Sequence, residues 1–298
     1  MPHNRFRGRA LSTAALVLLA ACSTRNEEHA EHDSATQAAA AQEPGLPADA
    51  AGAKARLERS PRHGEWAVVR TGANDSIRAW VVYPERSTRA PVVLVVHEIF
   101  GLTNWVRGVA DQLAADGFIA IAPDLMTMHN LPTDTSGDPV SQQATSIIRT
   151  LDPGKYHQQL LAIAEWGMRL PAAQPRYGIV GYCWGGSASF QHAVMSPRVG
   201  AAVVYYGSSP QTAELAKINA PVLGLYGGND ARVNATIEPA RAEMTRLAKT
   251  YEVHIFEGAG HGFLRQQSGA SGANMRATQQ AWPLTVQFFR KHLEQGTR

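Results

Sequence analysis

Six short apolar runs, separated by stretches with helical periodicity, restrict what this chain can fold into more than any other feature. The clearest lies within 91–97, where Val92-Val93-Leu94-Val95-Val96 carries apolar side chains at both alternating positions. A strand of that kind has to be covered on both faces, as the strands of parallel sheets are. Comparable runs occur at 118–122, 177–180, 201–206, 222–226 and 253–256, while 106–115, 156–170, 187–195, 237–249 and 278–292 show helical spacing. Strands alternating with helices predict an α/β fold built on a mainly parallel, doubly wound sheet with helices on both faces. Ahead of that pattern, 65–71 and 76–83 read as two strands joined by a turn at 72–75, an antiparallel start to the sheet. No repeat of fixed period is present, and the connections after residue 60 are too short to separate two domains, so 60–298 is expected to fold as one.

Composition removes several classes of function. The formal net charge of +3 leaves no basic block to hold a phosphate backbone, so nucleic acid is not an expected partner. Two cysteines cannot form a disulfide scaffold, and no Cys-x-x-Cys or Cys/His cluster with ligand spacing occurs, so neither a metal nor another cofactor is expected.

The first cysteine is explained by its neighbours. Arg5, Arg7 and Arg9 precede an apolar run from Ala10 to Ala21, about twelve residues against the roughly twenty needed to cross a bilayer. Residues 1–21 therefore read as a signal peptide. Leu19-Ala20-Ala21-Cys22 resembles the bacterial lipobox, which implies cleavage before Cys22 and lipidation of its thiol. The alternative is an ordinary secretory peptide cut near the Ala-Ala pair. Residues 22–59, rich in Ala, Glu, Gln and His with few bulky apolar side chains, read as a flexible tether, because they bury too little surface to offset their ordering entropy. His29 and His32 read as solvated tether residues. The expectation is a domain tied to a membrane of the bacterial cell envelope and facing the periplasm.

The second cysteine sits where a nucleophile would. Gly181-Tyr182-Cys183-Trp184-Gly185 follows an apolar run and precedes a helix, matching the Gly-x-nucleophile-x-Gly elbow with cysteine in the usual serine position. A sharp strand-to-helix turn strains the nucleophile's backbone, and glycines leave room around it. Such a helix N-terminus is expected to favour thiolate over thiol. The alternative is a buried structural cysteine in a tight turn. A nucleophile also needs a base and an orienting acid, which in this type of fold follow in the order nucleophile, acid, histidine. Gly227-Gly228-Asn229-Asp230 follows one apolar run and Gly258-Ala259-Gly260-His261-Gly262 follows the last, so Asp230 and His261 complete the order. His192 and His254 are rival bases placed inside a helical and a strand segment. The loop after Val96, His97-Glu98-Ile99-Phe100-Gly101, is placed to supply a second oxyanion-hole N–H, so Ile99 and Trp184 are the candidate donors. Glu98, next to a buried strand, needs a partner for its charge.

Together, His97-Glu98-Ile99-Phe100-Gly101, Gly181-Tyr182-Cys183-Trp184-Gly185-Gly186, Gly228-Asn229-Asp230 and Ala259-Gly260-His261-Gly262-Phe263 resemble the dienelactone hydrolase family over roughly 63–293. The resemblance implies an α/β-hydrolase fold and hydrolysis of a small-molecule carboxylic ester or lactone through a thioester. It implies Cys183 as nucleophile, His261 as base, Asp230 as its orienter and Glu98 as partner of the resting thiol, holding it neutral until substrate arrives and then accepting its proton. Family members that grip a substrate carboxylate use two arginines. Arg265 matches one as a candidate substrate-binding residue, whereas for the second only Arg149 offers itself. The stretch 126–139 reads either as a cover for the pocket or as a surface excursion. Two other readings stand beside the enzyme: a non-catalytic envelope protein binding a ligand or partner on a hydrolase scaffold, and a thiol redox sensor, which lacks a resolving cysteine.

Overall fold

The computed structural model describes residues 44–294. The signal peptide, Cys22 and the first part of the tether lie outside the described residues. An eight-stranded sheet forms the centre, built from β1 (Gly64–Arg70), β2 (Ser76–Val82), β3 (Ala90–Val96), β4 (Ile119–Pro123), β5 (Ala173–Tyr182), β6 (Ala201–Tyr205), β7 (Val222–Gly227) and β8 (Tyr251–Phe256), in the order β1-β2-β4-β3-β5-β6-β7-β8. β1 pairs antiparallel with β2, and β2 antiparallel with β4; all later pairings are parallel. Every apolar run expected to be a strand is one.

The run at 92–96 is buried throughout, and its side chains divide between two cores. Val93 and Val95 join one core, packed under α1 (Ala53–Glu58), α2 (Asn104–Ala115) and α8 (Ala273–Phe289). Val92, Leu94 and Val96 join the other, under α4 (Pro153–Met168), α5 (Trp184–Met195) and α7 (Ile237–Arg246). This is the doubly wound architecture, with helices on both faces. Two further helices, α3 (Ser141–Ile148) and α6 (Ala231–Asn234), occupy connections at the carboxyl ends of strands.

β4 lies on one side of β3 and β5 on the other, so the chain reverses its direction of winding here. That reversal opens a crevice beyond the strand ends, the position where α/β sheets bind ligands. The loop carrying Glu98 and the turn carrying Cys183 both leave the sheet at this point.

The tether expectation for 22–59 fails at its C-terminal end. Leu46, Ala48 and Ala53 are buried, and α1 packs on α2. The Ser60 hydroxyl donates to Asp111 and the Arg62 guanidinium pairs with Asp111, each at 2.5 Å. The Ala50 N–H donates to the Arg265 carbonyl at 3.0 Å, and the Gln267 side-chain amide donates to the Pro47 carbonyl at 2.8 Å. The folded unit thus reaches back to about residue 44, because a few small apolar side chains fit a groove that composition does not reveal.

Candidate active site

Cys183 occupies the single-residue turn between β5 and α5, with φ 56° and ψ −116°. A non-glycine residue is held at such angles only where its surroundings over-determine it. Here they do: a side chain at Gly181 would collide with the Gly185 carbonyl, and one at Gly185 with the backbone of Val96 and His97. Both glycines let α5 start almost in contact with the ends of β3 and β5, which lifts Cys183 to the crevice. The Cys183 N–H donates to the Tyr205 carbonyl at 3.1 Å, tying the turn to β6.

The two other expected triad members meet. His261 Nδ1–H donates to Asp230 Oδ2 at 2.5 Å, which leaves Nε2 as the free ring nitrogen. Asp230 lies in the loop just beyond β7 and caps α6, its other oxygen accepting from the Val233 N–H at 3.5 Å. One aromatic side chain lies near both this pair and Cys183. The Tyr206 ring packs on the His261 imidazole at 5.1 Å, and the Cys183 thiol is close enough to hinder ionisation of the Tyr206 hydroxyl. The rival bases are engaged elsewhere: His192 is buried between His157 and Tyr177, and His254 pairs with Glu252 at 2.8 Å.

Glu98 is almost fully buried, and its Oε2 forms an ion pair with Arg265 Nε at 2.6 Å. Burial pushes its carboxyl up to about 7, against the opposing pull of the Arg265 charge and the Tyr206 hydroxyl. The Arg265 guanidinium also lies 5.0 Å over the Phe100 ring. Arg265, expected as a substrate ligand, is therefore committed to Glu98 in this state, and Arg149 is exposed at the end of α3. Glu98, expected as the partner of the resting thiol, takes Arg265 as its direct partner and acts on the thiol through its charge.

The expectation that the helix N-terminus would favour thiolate does not hold. Burial and the Glu98 charge push the Cys183 thiol up to about 11, outweighing the Trp184 N–H and the charges of Arg232 and Arg265, which pull the other way. A partial charge from one helix end is small beside the cost of burying a full one.

Trp184, the first residue of α5, has an N–H with no intrahelical acceptor. Ile99 and Trp184 share support: both side chains pack on the small apolar cluster of Met126, Ala144 and Ile148. His97 stacks on the Trp184 ring at 5.9 Å, and its Nδ1–H donates to the Glu98 carbonyl at 2.8 Å. The stretch 126–139 is no free excursion, since Met126 is buried and Pro139 abuts Gly101 in the Glu98 loop.

The model of the dienelactone hydrolase family matches residues 77–293. The chain belongs to the dienelactone hydrolase family. It is 30% identical over 230 residues to a candidate carboxymethylenebutenolidase of Salmonella typhimurium, covering 73% of this chain and 84% of the relative. A candidate carboxymethylenebutenolidase of Escherichia coli is 29% identical over the same length, with 73% and 83% covered. Among solved structures, that of a candidate dienelactone hydrolase from Klebsiella pneumoniae superposes with a TM-score of 0.68 at 24% identity, covering 77% of this chain and 99% of the other. The α/β-hydrolase fold of this family accounts for the strand order and for the crevice beyond β3 and β5.

Sequence reasoning passed over Tyr206, Tyr182 and Arg232. Tyr205-Tyr206-Gly207, two phenols and a glycine closing an otherwise aliphatic run, was the available signal for the first. Arg232 carried none, since a basic residue two positions beyond an acid is ordinary on a helix surface.

Proposed function

We propose that the chain hydrolyses a carboxylic ester or lactone with Cys183 as nucleophile, His261 as base and Asp230 as the group that orients it. The observation that carries this reading is the strained Cys183 backbone at the crevice, kept at φ 56° by the close backbone approach that Gly181 and Gly185 permit. The Asp230–His261 contact at 2.5 Å supports it, since a histidine fixed through Nδ1 keeps Nε2 available for proton transfer.

The thiol gives up its proton within the site, to His261 with Glu98 as the second acceptor. A carboxyl near 7 is well matched to taking and returning a proton at neutral pH. The thiolate sulfur bonds to the substrate carbonyl carbon, and the oxyanion so formed is met by the Ile99 and Trp184 N–H groups, each such donor contributing about 2.7 to 4 kcal/mol in comparable sites. Collapse breaks the bond to the alkoxide, which leaves with the proton and yields a thioester. Water, deprotonated by His261, adds to the thioester carbonyl. The C–S bond then breaks, the sulfur is reprotonated and the acid departs. The resting thiol is neutral, which also shields it from oxidation.

Replacement of Cys183 by Ala, or of His261 by Ala, is expected to lower turnover of small p-nitrophenyl esters at least about a thousandfold with melting temperature maintained. A folded Cys183→Ala protein that still turns over those esters would falsify the assignment.

We further propose that the enzyme works at the bacterial envelope, facing the periplasm and anchored by lipid on Cys22. Supporting this are the basic leader, the short apolar run and the small residues before that cysteine. Cells fed an alkyne-tagged fatty acid are expected to label the wild-type chain and not Cys22→Ala, which leaves the membrane fraction. Equal labelling of both rejects the anchor.

A further inference from the structure

Tyr206 breaks a conformational rule at a place where a glycine would be free to obey it. It follows β6 with φ 39°, a left-handed backbone that bulky side chains rarely adopt, and it is fully buried. Its N–H donates to the Leu225 carbonyl at 2.9 Å, and the turn it makes brings Gly207 against the start of α5. Chain direction alone asks for a small residue here, yet the position holds a tyrosine whose two ends each meet a different part of the site.

The ring end lies 5.1 Å from the His261 imidazole at 59° and 5.3 Å from Phe263 at 74°, closing one side of the base. The hydroxyl end is buried and stands beside the Glu98 carboxyl, near enough to favour its charged form, although the two do not form a well-aligned hydrogen bond in this state. Glu98 Oε2 and Arg265 Nε likewise lack an aligned partner while sitting 2.6 Å apart, so the group is held together with its donors not yet fully used. The Tyr206 phenol is itself pushed far above its usual range by burial and by Glu98, so it stays protonated and can only donate to a carboxylate.

We propose that Tyr206 is a positioning residue that couples the two proton-handling groups of the site, its hydroxyl directed at the Glu98 carboxylate and its ring set against the His261 imidazole. This rests on the hydrolase reading above for the meaning of those groups and goes beyond it in naming what holds them in step. The strained backbone is the cost of reaching both from one residue. The groups that face Glu98 are Arg265 from the loop after β8, Tyr206 from the end of β6, Tyr182 and Cys183 from the elbow, and His97 on its own segment. Of these, only Arg265 and Tyr206 favour its ionised form.

Tyr206→Phe keeps the ring and deletes the donor. Its acid limb of kcat/KM for an uncharged p-nitrophenyl ester is expected to move up by about 0.4 to 1 pH unit, the equivalent of one lost hydrogen bond. A packing role alone lowers the plateau and leaves the limb in place. The same upward shift is expected in the carboxyl 13C titration of Glu98 in the full chain, its signal assigned by loss in Glu98→Gln. That readout needs no turnover, so a chain inactive on esters sinks the hydrolase reading without deciding this one. Tyr206→Leu removes the ring and is expected to lower the plateau kcat about tenfold, even where Glu98 is fully ionised. If Tyr206→Leu fails to melt cooperatively, Tyr206→Phe decides. An unmoved Glu98 midpoint in Tyr206→Phe overturns the proposal.

Discussion

Glu98 restrains Cys183 at the level of single side chains. Glu98 is buried and Cys183 half-buried, the Glu98 charge disfavours the thiolate, and Arg265 is the cation that makes ionised Glu98 tolerable. Taking that charge away should release the thiol. In Glu98→Gln, the pH midpoint for alkylation of Cys183 by iodoacetamide is expected to fall from about 11, because the like-charge penalty is gone and the unpaired Arg265 adds a favourable term. Ester turnover is expected to fall at the same time, so a more reactive thiol would accompany a poorer enzyme. An unchanged alkylation midpoint contradicts the coupling. Cys183, Asp230 and His261 were legible from spacing because glycine-rich turns after strands mark where side chains can reach a crevice. The Glu98–Arg265 pair was not, since nothing local tells a carboxylate which distant guanidinium it will meet.

Between elements, the packing of α4 against α5 carries a second buried polar group. His157 Nδ1 lies 3.3 Å from His192 Nδ1, His192 Nε2 lies 3.2 Å from the Tyr177 hydroxyl, and that hydroxyl lies 2.9 Å from Ser196 Oγ. Burial pushes His157 down to about 4 and His192 to about 3, where the charge of His157 adds to the effect. Both histidines are neutral in the folded state and take up protons more readily when unfolded. The stability this represents is intact above about pH 6.5 and is lost as pH falls toward 4 and 3, at up to about 1.4 kcal/mol per pH unit for each histidine. Urea midpoints measured from pH 7 to pH 4 are expected to fall steeply in the wild type and less so in His192→Gln; identical slopes would refute this. At this scale the strands were readable and three helices were not. α1, α3 and α6 are six, eight and four residues long, too short for a periodic signal, and they form because a neighbouring surface accepts them.

For the molecule as a whole, the segment from residue 44 to α1 links the N-terminal side of the fold to the site. It bonds the carbonyl of Arg265 through Ala50 and is itself bonded by Gln267 through Pro47, so it braces the loop that presents Glu98's partner. A chain beginning at residue 60 is expected to be less stable than one beginning at residue 44 by about 2 to 4 kcal/mol, from lost burial of Leu46, Ala48 and Ala53. It should also show a weakened Glu98–Arg265 pair, read as a rise in the Glu98 titration midpoint. Equal urea midpoints for the two chains would return the segment to the tether. The architecture, the elbow and the placement of Cys183, Asp230 and His261 after strands were written locally, because periodicity and glycine placement act over a few residues. Where the folded unit begins, which way the thiol's acidity moves, and that the Tyr206 ring packs on His261 depended on the assembled molecule. Burial and charge pairing are set by groups far apart in the chain, and only closure of the sheet brings them within reach of each other.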